Sequence, residues 1–153
     1  MAESTWKVIR DCNVTAVRKA SRRLTQLYDE ALRPVGLRST QYSILAELTE
    51  NAGNPPTMRQ LADALIMDRS ALGHALRPLV REGLLALEES PADRRSKLIT
   101  VTPKGRDLFL QARLSWQGVQ DHVAAAVGEE QAESLRTALL AVAGNDRLMT
   151  LSN

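Results

Sequence analysis

The chain of 153 residues carries 20 Lys and Arg against 18 Asp and Glu, with 44% hydrophobic residues and a single cysteine, Cys12. This length is typical of one domain, which folds without disulfides or structural metals. One cysteine excludes an internal disulfide and any cysteine-cluster metal site, and it suits a reducing compartment. The apolar runs, such as 138–143, are too short to span a membrane, and the N-terminus has no apolar signal core. We therefore expect a cytoplasmic protein.

The charge is divided unevenly along the chain. Residues 1–106 carry 17 basic and 12 acidic side chains, whereas residues 107–153 carry three and six. The first two thirds of the chain are therefore the part expected to attract an anionic partner.

Two helices are predicted before residue 51. In the first, over 14–32, apolar residues recur at helical spacing: Val17, Ala20, Leu24, Leu27 and Ala31. Pro34 and Gly36 end this helix. Ser39 or Thr40 is expected to cap the second helix, which has an inner face of Tyr42, Leu45 and Leu48.

Two short helices joined by a tight turn follow. Thr57 and Gln60 have capping-box spacing and begin the first of them, and Asp68 caps the second. The first is expected to bury Leu61, Ala64 and Leu65. The apolar positions of the second are Leu72, Ala75, Leu76, Leu79 and Val80. Its opposite face presents Arg69, Ser70, Gly73, His74, Arg77 and Arg81. This layout is typical of a helix-turn-helix.

Pro78 lies inside the second of these helices, where it removes one hydrogen bond and crowds the preceding turn. Either the helix is kinked there or it ends near Arg77. The exposed residues from Arg69 to Arg77 precede the proline in both cases.

A β-hairpin and two further helices complete the chain. The segments 84–88 and 97–102 are predicted to be strands, with a turn at 90–96 that carries Arg94 and Arg95. Thr102 and Pro103 begin a long helix of about 37 Å that runs to Gly128. A last helix ends at Gly144 and Asn145.

The basic helix face and the basic hairpin tip fit two different features of duplex DNA. The major groove admits a helix, and the narrower, more negative minor groove admits an arginine-bearing loop. On this hypothesis Arg94 or Arg95 enters the minor groove, and one of them is braced by a charge-assisted hydrogen bond that its guanidinium donates to the Asp93 carboxylate. Base edges are contacted by Ser70, His74 and Arg77. Phosphates are held by Arg69, Arg81 and Lys97.

Three segments carry a family resemblance: ASRRLTQLYDEALRPVGLRSTQYSIL at 20–45, MRQLADALIMDRSALGHALRPLVREGLL at 58–85 and DRRSKLITVTPKG at 93–105. The third is the most specific, because Asp93 and Arg95 match an Asp-x-Arg wing. Thr102 and Gly105 match the Leu-Thr-x-x-Gly that follows it, with Val101 in place of leucine. From about Val17 to Arg106 the chain thus resembles the MarR family, the multiple antibiotic resistance regulators.

The resemblance implies a mainly α winged helix-turn-helix fold with six helices and a small β-hairpin wing. It implies a DNA-binding lobe at about 39–106 and dimerisation helices at about 5–36 and 103–145 of a single domain, 1–153. It also implies that Arg95 is the minor-groove arginine and that the protein is a homodimeric repressor released by a small ligand or an oxidant.

There is also a physical argument for the dimer. A second copy would cover the apolar faces of the terminal helices and would place the two DNA-reading helices on one side of the dimer. Such a dimer would face a pseudo-palindromic operator with half-sites about 34–36 Å apart. The alternative is a monomer whose terminal helices fold back on their own core.

Two kinds of releasing signal are considered. Cys12 resembles in position the peroxide-sensing cysteine of some MarR-like proteins. Arg10 favours ionisation of its thiol and Asp11 opposes it. The alternative is that Cys12 is only a small buried residue at the dimer interface. A small aromatic or anionic effector is the other signal. The resemblance suggests for it a cleft lined by Arg18, Arg22, Tyr28 and Tyr42.

Two other classes of function are less well supported. The sequence has no phosphate-binding glycine loop and no metal-ligand motif, and its two histidines, His74 and His122, are 48 positions apart, so we expect no enzyme. The same winged helix could instead bind a protein without binding DNA. Against that alternative, basic and apolar segments separate along the chain as a DNA-facing dimer requires.

Overall fold

A computed structural model describes residues 12–93 and 95–150 of the chain. The described residues form six α-helices, two 3-10 helices and one two-stranded sheet. The α-helices are α1 (Asn13–Leu32), α2 (Ser39–Glu50), α3 (Met58–Leu65), α4 (Arg69–Arg81), α5 (Pro103–Val127) and α6 (Glu129–Ala143). The strands β1 (Leu85–Glu89) and β2 (Lys97–Val101) lie between α4 and α5, and the 3-10 helices cover Arg33–Val35 and Asp146–Met149. The predicted order of elements and the six-helix fold class are confirmed.

The junction of α1 and α2 is built differently from the prediction. Gly36, at φ 74°, ends the 3-10 helix that follows α1, as glycine does when the chain turns through left-handed backbone. Arg38 is the N-cap of α2, so the expected cap by Ser39 or Thr40 is wrong. The backbone N–H of Ser39 donates instead to Asp29 Oδ1 at 2.7 Å, and the N–H of Arg38 donates to Gln41 Oε1 at 2.9 Å. The carboxylate of Asp29 in α1 therefore caps the start of α2 in place of the expected hydroxyl.

The helix-turn-helix formed by α3 and α4 is capped as predicted. Gln60 N–H donates to Thr57 Oγ1 at 3.3 Å while Thr57 N–H donates to Gln60 Oε1 at 2.9 Å, which closes the capping box. At the start of α4, Ala71 N–H donates to Asp68 Oδ1 at 2.8 Å. The predicted inner face of α3 needs one correction. Ala62 is buried and Ala64 is exposed, because the helix presents Leu61 and Ala62 to the core.

Helix α4 continues through Pro78 to Arg81, so it does not end near Arg77. Pro78 cannot donate a backbone hydrogen bond, but its carbonyl still accepts from Glu82 N–H at 2.9 Å. Leu72, Leu76 and Leu79 are buried along one side of the helix. The apolar side thus extends on both sides of the proline and holds the whole helix on the core.

The wing is an antiparallel hairpin whose register pairs Leu85 with Val101 and Glu89 with Lys97. It is tied to the start of α3, since Ile99 N–H donates to the carbonyl of Pro56 at 2.9 Å and Thr57 pairs with Leu98 in a single bridge. These contacts fix the hairpin beside the helix-turn-helix.

The base of the wing is also locked to α5. Thr102 Oγ1 donates to the carbonyl of Gly83 at 2.7 Å and accepts from Gly105 N–H at 3.1 Å, which caps α5 as predicted. Lys104 Nζ donates to the carbonyl of Glu82 at 2.7 Å. A Cβ on Gly105 would collide with the carbonyl of Leu84, so only glycine permits this approach of helix to strand.

The core joins α2, α3, α4, the wing and the middle of α5. Its completely buried members include Ile44, Leu45, Leu61, Leu72 and Ile99. Within the described residues α1 buries only Leu32 and α6 buries none. None of the described helices has both the length and the apolarity needed to cross a bilayer. The terminal helices are therefore the part of this chain with the least internal packing.

Candidate nucleic-acid interface

Helix α4 presents an exposed polar face directly opposite its buried leucines. Five of the six residues predicted on this face are exposed, namely Arg69, Ser70, His74, Arg77 and Arg81, and Gly73 is partly buried. The spacings of four, three and four residues from Ser70 to Arg81 place these side chains on adjacent turns of one side. The sequence-predicted helix face therefore exists as one continuous surface, about 18 Å long at the usual helical rise from Arg69 to Arg81.

The wing tip is shaped by a backbone contact of Asp93. Its Oδ1 accepts from the backbone N–H of Arg95 at 3.0 Å, and its carbonyl accepts from Ser96 N–H at 2.9 Å. Ser90 N–H closes the turn by donating to the carbonyl of Ser96 at 3.1 Å. Asp93 thus braces Arg95 through its backbone rather than through the predicted charge-assisted bond to its guanidinium. Arg94, the other candidate, lies outside the described residues.

Lys97, which is predicted to hold a phosphate, lies at the start of β2 and forms an ion pair with a neighbouring carboxylate. Its Nζ is 3.3 Å from Glu89 Oε1 on the neighbouring strand, and both side chains are more than half exposed. A pair this exposed contributes little to folding stability, so the lysine remains available to a stronger anion.

The cations of α4 and the wing tip are free of ion pairs within the described part of the chain. The three pairs there are Arg38 with Asp29, Arg59 with Asp63 and Lys97 with Glu89. Exposed, unpaired guanidinium groups are suited to phosphates and base edges because they lose little on leaving water.

The terminal helices expose large apolar residues. Val14 and Val17 are exposed on α1, Leu110 and Leu114 on α5, and Leu135, Leu140 and Val142 on α6. Leu114 is 81% exposed and Leu140 is 66% exposed, so neither side chain is covered by the described part of the chain. Patches of this kind mark surfaces that pack against another molecule.

The four residues suggested for an effector site are distributed among different surroundings. Tyr42 is buried in the core, with its ring centroid 5.8 Å from Trp116 and 5.2 Å from Phe109. Tyr28 lines a cavity of about 580 Å³ between α1, α5 and α6, together with Trp116 and Arg136. Burial raises the pKa of both tyrosines. Arg22 lines a separate cavity of about 480 Å³, and Arg18 is exposed on α1.

A cavity of about 850 Å³ lies between α4 and the junction of α1 and α2. Its cationic lining comes from Arg33 and Arg38, His74 adds an imidazole, and Ala75 and Pro78 contribute apolar surface. Sequence reasoning missed Arg33 and Arg38, since only the tertiary packing of α4 against that junction brings them near His74.

Cys12 lies at the start of α1 and is half-buried. The hydroxyl and the backbone N–H of Thr15, and beyond them the charge of Arg18, hold the pKa of the Cys12 thiol below its usual range. Arg10 and Asp11, the other neighbours considered, lie outside the described residues.

Known proteins are similar to this chain in sequence and fold. Residues 35–96 match the MarR family. The chain is 36% identical to the M. tuberculosis transcriptional regulator MosR in complex with DNA, over 86% of this chain and 98% of MosR, with a TM-score of 0.70. It is 25% identical to CouR of Rhodococcus jostii RHA1, a transcriptional repressor bound to a 23-mer DNA duplex, over 88% of this chain and 94% of CouR, with a TM-score of 0.79.

An HTH-type transcriptional regulator of Staphylococcus aureus is 27% identical over 97 residues, which cover 63% of this chain and 65% of that relative. The family match runs from the 3-10 helix after α1 to the wing tip, and the likeness to MosR covers 86% of the chain. The chain belongs to the MarR family of winged helix-turn-helix transcriptional regulators.

Proposed function

We propose that this protein is a homodimeric repressor that binds a pseudo-palindromic site in double-stranded DNA. The observation that carries the proposal is the exposed basic face of α4, whose arginines form no ion pair with the described residues, in a chain whose hairpin turn carries the exposed Arg95. The DNA complexes of MosR and CouR support it. Binding chromosomal DNA would place the protein in the cytoplasm.

The proposed division of labour follows the geometry of B-DNA. Helix α4 enters the major groove, where Ser70, His74 and Arg77 contact base edges. Arg69, Arg81 and Lys97 hold phosphates and so set the register of the helix. Arg95 enters the adjacent minor groove, with its backbone position fixed by Asp93. Residues 39–106 form this DNA-binding lobe.

The proposed dimer forms through 13–36 and 103–145. Its support is the apolar surface left open on α1, α5 and α6, which includes Leu114 and Leu140. The remaining part of the expected dimerisation range, residues 5–11, lies outside the described residues. Two-fold symmetry would set the two copies of α4 about 34–36 Å apart, one turn of DNA.

The test begins with selection of bound fragments from random duplex DNA by the purified protein. Affinity for the selected site is then measured by fluorescence anisotropy between about 50 and 200 mM salt, where several phosphate contacts cost orders of magnitude. Affinity that does not change with salt would instead indicate a protein-binding module.

Substitutions separate the proposed roles. Arg95→Ala is expected to weaken binding with a smaller loss of base preference than His74→Ala or Arg77→Ala, because the minor groove carries little sequence information. Arg23→Ala, on the exposed side of α1, is the control and is expected to bind as the parent does. Equal and negligible effects of the three test variants would contradict the docking.

Release from DNA is proposed to follow a small ligand or an oxidant. The support for a ligand is that CouR, which has a similar fold, is bound to p-coumaroyl-CoA in one structure. A thermal-shift screen of aromatic and carboxylic compounds, repeated on Tyr28→Ala, tests a ligand in the cavity beside Tyr28. A ligand that stabilises the parent but not the variant supports this site.

The oxidant is tested with Cys12→Ser. If the thiol is the sensor, peroxide releases DNA from the parent and not from the variant. Equal release from both proteins would exclude Cys12 as the sensor.

A further inference from the structure

Gly73 occupies an interior position of α4 that nothing in the described chain requires to be glycine. Its backbone is not among the glycines with positive φ, which are Gly36, Gly83 and Gly128. A Cβ placed on it would have no heavy atom within 4 Å, whereas a Cβ on Gly105 would meet Leu84. Glycine is also the least favourable helix residue after proline. Folding alone would therefore favour alanine here.

The surroundings of Gly73 point to an external reason. Arg69 and Arg77 lie one turn before and one turn after it on the same side of α4, and both are exposed. In the proposed docking Arg69 holds a phosphate and Arg77 contacts a base edge, so the DNA surface crosses the stretch of helix between them, above Gly73. A side chain there would stand between the DNA and the helix.

We infer that Gly73 is the point at which bound DNA passes closest to the backbone of α4. This inference rests on the proposed function. The missing side chain lets the helix sit deeper in the major groove, so that Arg69 reaches a phosphate while Ser70, His74 and Arg77 reach bases. Gly73 is thus a positioning residue, and its contribution to binding comes from the space it leaves open.

The experiment compares Gly73→Ala and Gly73→Leu with the parent protein. Alanine and leucine are both good helix formers, so each variant is expected to have a midpoint of thermal unfolding equal to or above that of the parent. The affinity for the selected duplex is expected to fall about tenfold or more for alanine, and further for leucine. A structural role alone would not lower affinity while stability rises.

Gly53→Ala is the control. Gly53 is exposed in the loop between α2 and α3, which carries none of the proposed DNA or dimer contacts; its φ is not positive, and a Cβ on it would also have no heavy atom within 4 Å. It should not lower the unfolding midpoint and should leave DNA affinity unchanged. If the parent binds the duplex and Gly73→Ala binds equally tightly, this inference is overturned and the proposed function stands. If the parent binds no duplex at all, the proposed function itself fails, and the inference fails with it.

Discussion

Ile66 is the residue with the least favourable backbone in the described chain. It lies in the turn between α3 and α4 at φ 51° and ψ 46°, the left-handed region, and it is the only non-glycine residue with positive φ among those described. A branched side chain in this conformation costs about 1–2 kcal/mol. Its side chain is 66% exposed, so packing returns little of that cost. The tight turn needs this conformation to bring Asp68 to the start of α4.

Relief of this strain should be measurable. Ile66→Asn is expected to raise the free energy of unfolding by about 0.5–1 kcal/mol, because asparagine tolerates the left-handed region better than a β-branched residue. Ile66→Val keeps the branch and should give no gain. Urea denaturation of the three proteins decides the point. An asparagine variant no more stable than the valine variant would show that the turn is unstrained.

What the sequence predicts at the residue scale depends on how local the interaction is. The caps by Thr57, Asp68 and Thr102 could be read directly, since donor and acceptor are three residues apart. The cap of α2 could not, because Asp29 is ten residues from Ser39 and only the fold brings them together. The strain at Ile66 was equally hidden, as no local pattern marks a left-handed isoleucine.

At the element scale, Asp29 joins α1 to α2. Burial of its carboxyl opposes ionisation, but the hydrogen bonds from Ser39 and the charge of Arg38, 3.5 Å away, outweigh burial and lower the pKa of Asp29. The folded state therefore favours the carboxylate. Its contribution to stability is complete above the pKa of an unfolded aspartate, about 3.9, and is lost as the pH falls through the lower folded value.

Asp29→Asn tests this link between the helices. At pH 7 the variant is expected to unfold about 1–2 kcal/mol more easily, because a charge-assisted hydrogen bond becomes a neutral one. The difference from the parent should stay constant down to about pH 5 and shrink below about pH 4. Glu30→Gln, at the exposed neighbouring position, should change stability by no more than about 0.5 kcal/mol. A difference that is unchanged at pH 2 would contradict the ionic contribution.

The order of elements was predictable because helical spacing, caps and the Pro and Gly boundaries agree along the chain. The behaviour of α4 at Pro78 could not be decided from sequence, since buried Leu76 and Leu79 on both sides of the proline hold the helix together. The effector residues were also beyond sequence reasoning. Tyr28 lines a cavity together with Trp116 whereas Tyr42 is buried against the Trp116 ring, and both placements depend on how several helices pack.

At the scale of the whole molecule, the exposed leucines of α5 and α6 test the proposed dimer. Leu140→Glu should change the mass measured by light scattering from that of a dimer to that of a monomer, because a carboxylate cannot be buried unpaired at an apolar interface. The affinity for a two-half-site duplex should then fall at least tenfold, since each monomer binds one half-site.

Leu87→Glu provides the comparison for this experiment. Leu87 is also an exposed leucine, 48% accessible, but it lies on β1 of the wing. The variant should keep the mass of the dimer. A parent protein that is already monomeric at working concentrations would remove the basis for the pseudo-palindromic operator.

Gly105 lets α5 pack directly against the backbone at Leu84, and Thr102 and Lys104 at this end of α5 donate hydrogen bonds to the carbonyls of Gly83 and Glu82. We therefore expect the hairpin and α5 to move together as a rigid unit. Helix α5 has 25 residues and so a length of about 37 Å. A rotation of only about 5° at its far end would displace the arginine tip by roughly 3 Å, more than a hydrogen bond tolerates. In the proposed dimer, a small change at the interface between the two copies would thus become a larger displacement of the wing tip that contacts DNA.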